Sequence, residues 1–116
     1  MTESDVVLAT IVNADGTSKK RPAIVLREIP PFKDLLLCGA TTQLHNFEET
    51  LDEFISPIDS DFRTSGLIKK SVIRLGFLAV FPKNRVMGKI GSINKERHVR
   101  LLRRLSNYLI QNCKTN

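Results

Sequence analysis

Three segments of the chain carry side chains suited to binding a phosphate, and the first is Lys19-Lys20-Arg21-Pro22. Pro22 restricts the residue before it to extended backbone, so Arg21 leaves a polar loop in a fixed direction at the start of a predicted strand. Its fork of guanidinium donors matches two oxygens of a phosphate. The alternative interpretation is a basic surface cluster that precedes a strand.

The second segment is the end of an apolar run, Leu35 to Ala40, which Thr41, Thr42 and Gln43 follow directly. Hydroxyl and amide groups in such a place can donate to phosphate oxygens or contact the edges of bases. Two threonines at the end of a strand are also common without such a role. This segment alone is therefore a weak signal.

The third segment contains Arg74. In a strand over residues 71–75, Ser71, Ile73 and Leu75 share one face, and Arg74 lies on the other face of an otherwise apolar run. A guanidinium in that setting must reach an acidic partner or an open concave surface. The spacing is compatible with either interpretation, a structural ion pair or a binding site.

The charge of the chain is uneven. It has 116 residues with 18 lysines and arginines against 12 acids, a formal net charge of +6. Residues 1–58 hold five basic and nine acidic side chains, whereas residues 59–116 hold thirteen basic and three acidic ones. This pattern favours a polyanion such as nucleic acid, an acidic protein or an anionic membrane, and solubility explains it equally well. The length predicts one domain over residues 1–116 and excludes a multidomain enzyme.

The two cysteines, Cys38 and Cys113, show no spacing typical of a metal site. Together with an acidic N-terminal segment that lacks the pattern of an export signal, they predict a reducing, cytoplasmic environment and no structural zinc. The apolar runs are far shorter than a membrane span.

The predicted strands are short and closely spaced, and Gly, Pro and Asn mark the loops between them. Too little helix separates them for parallel crossovers, so we expect a mainly β fold with an antiparallel, strongly bent sheet or small barrel. The predicted strands are Val6–Val12, Ala23–Arg27, Leu35–Ala40, Glu53–Ser56, Ser71–Leu75 and Phe77–Phe81.

A C-terminal amphipathic helix is predicted over roughly residues 94–112. Asn94 is the expected N-cap, and Glu96 lies in the first turn, where the helix dipole favours an anion. The predicted buried stripe comprises Val99, Leu102, Leu105, Leu109 and Cys113, widened by Leu101, Tyr108 and Ile110. The opposite side carries Arg97, Arg100, Arg103 and Arg104, and a solvated surface is sufficient to explain them.

Taken in order, these motifs make the chain resemble the PemK/MazF family of toxins from bacterial type II toxin–antitoxin modules. The matching segments are residues 5–8, 15–16, 19–26, 35–43, 65–75 and 89–91, so the resemblance covers nearly the whole chain. It implies a small SH3-like β-barrel with a C-terminal helix, usually a homodimer. It also implies an endoribonuclease that cuts single-stranded RNA without a metal or other cofactor, through attack of the ribose 2′-hydroxyl on the adjacent phosphate. A cognate antitoxin with an acidic segment is the implied protein partner.

The resemblance also implies roles for individual residues. Arg21 and Arg74 would stabilise charge at the scissile phosphate, and Thr41 would hydrogen-bond the phosphate or orient the nucleophile. Asp15, the acid in the loop before the Arg-Pro motif, is the candidate general base. The implied RNA-binding residues are Lys19, Lys20, Thr42, Gln43, Ser65, Lys69 and Lys70.

One departure from the family pattern keeps a second function open. Some members have an aspartate two residues after the arginine matched to Arg74, and this chain has Gly76 there. The alternative is therefore a catalytically impaired or non-catalytic member that binds RNA or acts on a protein target such as gyrase. Neither His45 nor His98 occupies a catalytic position of the family, and only His45 lies in a loop that could reach the site.

Overall fold

The computed structural model describes residues 1–12 and 14–111. Within them the chain forms six β-strands and two α-helices, with 3₁₀ turns at Leu44–Asn46 and Lys83–Arg85. The elements are β1 (Asp5–Val12), β2 (Ser18–Ile29), β3 (Asp34–Thr41), β4 (Glu53–Ile55), α1 (Phe62–Ser65), β5 (Ser71–Phe81), β6 (Val86–Ser92) and α2 (Lys95–Ile110).

The strands form one antiparallel sheet in the order β4-β5-β3-β2-β1-β6. This confirms the predicted mainly β fold with an antiparallel sheet and a C-terminal helix. The predicted barrel is not confirmed, because the outer strands β4 and β6 do not pair with each other in the described sheet.

Helix α1 packs closely on the outer strand β6. A Cβ atom built on Gly91 would lie 2.2 Å from the carbonyl oxygen of Thr64, and one built on Gly66 would lie 2.3 Å from that of Ile90. Gly66 also ends α1 in a left-handed conformation, with φ of 79°, which favours glycine. The two backbones can therefore meet only because both positions lack a side chain.

Strand β5 is one continuous strand where the sequence predicted two, over residues 71–75 and 77–81, because it continues through residue 76. Arg74 pairs with Gly39 and Leu78 pairs with Cys38, so three residues of β5 bulge between two adjacent residues of β3. Strand β6 was not among the predicted strands. Its glycines at 88 and 91 weaken the apolar alternation, and it forms by pairing with β1.

Both faces of the sheet bury apolar side chains, as the alternation along β1 illustrates. Val6 joins a cluster with Ile24 and Ile73 that packs against Leu101 of α2. Val7 points the other way into a second cluster that includes Val25, Leu37 and Val86. The sheet thus lies between two apolar layers, which hold in place the strands that carry the candidate functional side chains.

Helix α2 begins as predicted, because the Asn94 side chain accepts a hydrogen bond of 2.8 Å from the Arg97 backbone N–H. The predicted buried stripe is confirmed only in part, because Leu101 and Leu105 are buried and Leu102 is partly buried against the core. The buried side chains are those of Arg97, His98, Leu101 and Leu105, whereas Val99 and Leu109 are 41% and 61% exposed. Tyr108 and Ile110 are exposed as well, and Cys113 lies outside the described residues. Among the described residues, no helix is long and apolar enough to cross a membrane.

The arginines of α2, for which the sequence predicts a solvated surface, determine which face of the helix is buried. Arg97 is buried and forms ion pairs with Asp61 at 2.8 Å, Asp59 at 3.0 Å and Glu53 at 3.1 Å. Arg100 makes two hydrogen bonds to Glu53, of 2.7 and 3.0 Å. Arg104 donates to the backbone carbonyls of residues 49, 51 and 52. Three of the four arginines therefore bind the helix to the acidic segment 49–61, and only the fourth, at position 103, is exposed with no hydrogen bond or ion pair to the residues that the structure describes.

Candidate functional site

A pocket of about 390 Å³ opens where β2, β3 and β5 lie side by side. Its polar and aromatic lining comes from Arg21, Thr41, Gln43, Asn46, Arg74 and Phe77. Apolar residues close the floor, among them Ile11, Pro22, Leu37 and Ala79. The pocket thus combines cationic, hydrogen-bonding and aromatic groups above an apolar base.

The two pocket arginines come from the strands on either side of β3. Arg21 stands opposite Ala9 in the pairing of β2 with β1, and Arg74 stands opposite Gly39 in the pairing of β5 with β3. Thr41 ends β3 between them. Arg21, Thr41 and Arg74 lie more than 50 residues apart in sequence from first to last, and the sheet places all three around one cavity.

The charge of this pocket is not neutralised from within. In the described chain, the side chains of Arg21 and Arg74 form no ion pair and no hydrogen bond, although both are half-buried. The Arg74 guanidinium carbon lies 5.5 Å from the centre of the Phe77 ring. Since Arg97 shows how this chain pairs a structural arginine with carboxylates, the two pocket arginines are available to an anion from outside.

Thr41 can act as a donor toward that anion. Its Oγ1 accepts a hydrogen bond of 3.1 Å from the backbone N–H of Gln43, which leaves the hydroxyl proton for another acceptor. The same turn directs the Gln43 side chain into the pocket lining, whereas Thr42 is exposed outside it.

Asp15 lies beside the pocket and not in its lining, although its neighbour Ala14 is a lining residue. Its Oδ1 accepts hydrogen bonds from the Thr17 hydroxyl at 2.6 Å and the Thr17 backbone N–H at 2.9 Å. These two bonds lower the pKa of the Asp15 carboxyl below its ordinary value. The group is therefore ionised at neutral pH but has a reduced affinity for a proton.

The remaining predicted RNA-binding residues lie outside the pocket lining. Lys19, Lys20 and Lys69 are exposed, and the Lys70 ammonium lies 4.5 Å above the centre of the Phe54 ring. Ser65 is fully buried in α1, where its hydroxyl donates to the Phe62 carbonyl and accepts from the Leu67 N–H. Its position is therefore that of a structural residue beneath the surface.

The pocket also contains residues that the sequence analysis did not select as functional. Asn46 ends a 3₁₀ turn, and Phe77 belongs to the bulge in β5; no local pattern marks either of them as a pocket residue. Cys38 is fully buried in the cluster that packs against α2, and burial raises the pKa of its thiol to about 12, so it stays protonated. Neither histidine lines the pocket: His45 is exposed, and His98 is buried, with Nε2 at 2.8 Å from the Leu26 carbonyl oxygen.

Fold and pocket together define a small, mainly β protein whose pocket combines hydroxyl and amide donors with arginines that have no acidic partner among the described residues. Residues 2–109 match the family model of the PemK-like, MazF-like toxins of type II toxin–antitoxin systems. The chain belongs to this family, whose members are generally endoribonucleases and which implies an antitoxin as partner. A comparison with curated proteins found no match.

Proposed function

We propose that this protein is the toxin of a type II toxin–antitoxin module and a metal-independent endoribonuclease that cleaves single-stranded RNA at specific sequences. The ribose 2′-hydroxyl attacks the adjacent phosphorus, the bond to the 5′-oxygen breaks, and the products carry a 2′,3′-cyclic phosphate and a free 5′-hydroxyl. The observation that carries the proposal is the pair of half-buried arginines, Arg21 and Arg74, that face one pocket without an acidic partner in the described chain.

The proposed roles follow from the chemistry of each group. Arg21 and Arg74 stabilise the negative charge that grows on the phosphorane, because a guanidinium stays protonated at neutral pH and is a poor base. Thr41 donates its hydroxyl proton to a phosphate oxygen or orients the attacking 2′-hydroxyl. The backbone that carries each of these groups is fixed before the substrate arrives, since each residue belongs to a strand of the central sheet.

We assign the general base to Asp15. The pocket lining in the described part of the chain contains no carboxylate and no imidazole, and Asp15 directly follows the lining residue Ala14. Because its pKa is lowered, Asp15 is a weak base, and its contribution falls at the low end of the ~10²- to 10⁴-fold typical of general-base catalysis. Most of the rate enhancement then comes from the arginines.

The RNA strand is proposed to extend from the pocket over exposed cationic and polar groups. In this proposal Lys19 and Lys20 on β2, with Lys69 and Lys70 before β5, contact flanking phosphates, and Thr42 and Gln43 at the end of β3 bind the RNA as well. Buried Ser65 is left out of this interface.

The assembly follows the family pattern in this proposal. We take the open sheet, with α1 packed on β6, to be the family's SH3-like barrel in open form, and exposed apolar side chains of α2, such as Tyr108 and Ile110, would supply surface for a homodimer. An acidic antitoxin segment covers the cationic pocket in the cytoplasm. The charge of the pocket gives such a segment long-range attraction.

Cleavage of a mixed-sequence single-stranded RNA in the presence of EDTA tests the proposal. We expect discrete cuts with cyclic phosphate and 5′-hydroxyl ends, and no cut where the nucleotide on the 5′ side of the bond is 2′-deoxy. Intact RNA with the wild-type protein would contradict the proposal. Growth arrest that persists with intact cellular RNA, after replacement of both arginines, would establish the non-catalytic alternative instead.

A further inference from the structure

The bulge in β5 places an aromatic ring where a regular strand would not. Side chains alternate along a strand, so residues 74 and 77 would lie on opposite faces of the sheet. Because Leu75, Gly76 and Phe77 have no partner in β3, Arg74 and Phe77 instead line the same pocket. Among the lining residues that the structure describes, Phe77 is the only aromatic one.

The ring of Phe77 lies on bare backbone at Gly39. A Cβ atom built on Gly39 would be 3.1 Å from Cδ1 of Phe77, so even a methyl group there would press on the ring. The Arg74 guanidinium carbon is 5.5 Å from the ring centre, and the side chain of Phe77 keeps 38% of its surface exposed. The ring is therefore held from beneath and beside but still presents surface to the pocket.

We propose that Phe77 is the platform on which an unpaired nucleobase of the substrate stacks, next to the phosphate bound by Arg21 and Arg74. This inference rests on the proposed ribonuclease function and names a substrate-binding residue within the same site. A planar occupant with an attached anion fits an aromatic ring beside two unpaired guanidinium groups better than a purely apolar ligand does.

The base that stacks there would meet two amide side chains. Gln43 and Asn46 line the same pocket, and each offers both a donor and an acceptor to the edge of an unpaired base. Stacking itself tolerates any base, so Phe77 supplies affinity while the two amides discriminate between bases.

Binding of a fluorescently labelled, mixed-sequence 2′-O-methyl RNA oligonucleotide tests this role without cleavage, since the blocked 2′-oxygen cannot attack. We expect Phe77→Ala and Phe77→Leu to weaken binding by about 5- to 100-fold, the range for loss of one base–aromatic stack. Phe77→Tyr keeps the ring and should bind like the wild type. Phe32→Ala, which removes an 82% exposed ring outside the pocket, is the matched control.

An abasic scan separates stacking from a structural effect. With one abasic nucleotide moved along a bound oligonucleotide, the wild type should lose affinity at a position beside the scissile phosphate, and Phe77→Leu should lose that sensitivity. If the wild type binds and cleaves RNA but Phe77→Leu binds equally well, the stacking role is overturned and the ribonuclease stands. If the wild type binds no RNA, both are overturned.

Discussion

At the scale of single residues, the chain uses arginine in two opposite ways. Arg97 is buried among Glu53, Asp59 and Asp61, so its charge is neutralised within the fold. Arg21 and Arg74 have no such partners in the described residues and face a pocket. The same side chain therefore stabilises structure in one setting, and in the other we propose that it binds an external anion.

The ion pairs of Arg97 make stability depend on pH. Burial alone would raise the pKa of Asp61, but hydrogen bonds from Arg97 and from the Asn94 N–H, with the charge of Arg97, hold it below its ordinary value of 3.8. A lowered pKa in the folded state stabilises the protein above the unfolded pKa, and this contribution disappears as the pH falls through the folded value. Acidification below about pH 4 should therefore destabilise the wild type.

We expect Asp61→Asn to reduce the free energy of unfolding by about 3 kcal/mol at pH 7, since it leaves a buried charge less well paired. Urea denaturation at pH 7 and pH 3 measures this, and the variant should lose less stability than the wild type between the two. Asp34→Asn, which removes a carboxylate without a hydrogen bond or ion pair in the described chain, is the control. Equal stability of Asp61→Asn and wild type at pH 7 would contradict the interpretation.

At the scale of elements, glycines allow backbone segments of the fold to approach each other closely. Helix α1 and strand β6 meet through Gly66 and Gly91, and the bulge of β5 contains Gly76. These three glycines are not equivalent. A Cβ at Gly76 would make an ordinary contact of 3.5 Å with Leu51, whereas a Cβ at Gly91 would overlap backbone atoms of α1.

Alanine substitution should separate the two cases. We expect Gly91→Ala to lower the free energy of unfolding by about 3 kcal/mol, because backbone atoms cannot move aside as a flexible side chain can. Gly76→Ala should change it by less than about 0.5 kcal/mol. Chemical denaturation of both variants gives the comparison, and a Gly91→Ala protein as stable as Gly76→Ala would show that the contact between α1 and β6 is not tight in solution.

At the scale of the whole molecule, the net charge of +6 resolves into two parts. The arginines at 97 and 100 in α2 face acids of the segment 53–61, so they add little to the field of the surface. The cations of the pocket and of the lysine pairs 19–20 and 69–70 make no ion pair in the described chain. We therefore place the attraction for a polyanion on the pocket side.

This distribution predicts how RNA affinity depends on salt. Single-stranded nucleic acid loses affinity with a slope of about −0.7 per phosphate contact in a plot of log K against log salt. Arg21→Ala should make the slope shallower by about 0.7. Arg103→Ala removes the same charge from the exposed side of α2 and should leave the slope unchanged. Identical slopes for the two variants would place the RNA elsewhere.

Sequence reasoning succeeded where the signal is local and failed where partners are distant. Asn94 as the helix cap and the antiparallel sheet follow from short-range patterns. The buried face of α2 does not follow from such patterns. Arg97 is buried because it pairs with acids such as Asp61, which lies 36 residues away in sequence and is brought close only by the fold. Phe77 was missed for a similar reason: a bulge reverses the alternation on which the strand analysis relied.

The most direct test of the central claim is single-turnover cleavage of one RNA substrate, in EDTA, by the wild type and three arginine variants. We predict that Arg21→Ala and Arg74→Ala each slow cleavage by about 100-fold or more, the cost of removing one preorganised donor from a transition-state charge. Arg103→Ala, with the same loss of charge outside the pocket, should cleave at the wild-type rate. Wild-type rates for Arg21→Ala and Arg74→Ala would contradict the assignment of this pocket as the site of RNA cleavage.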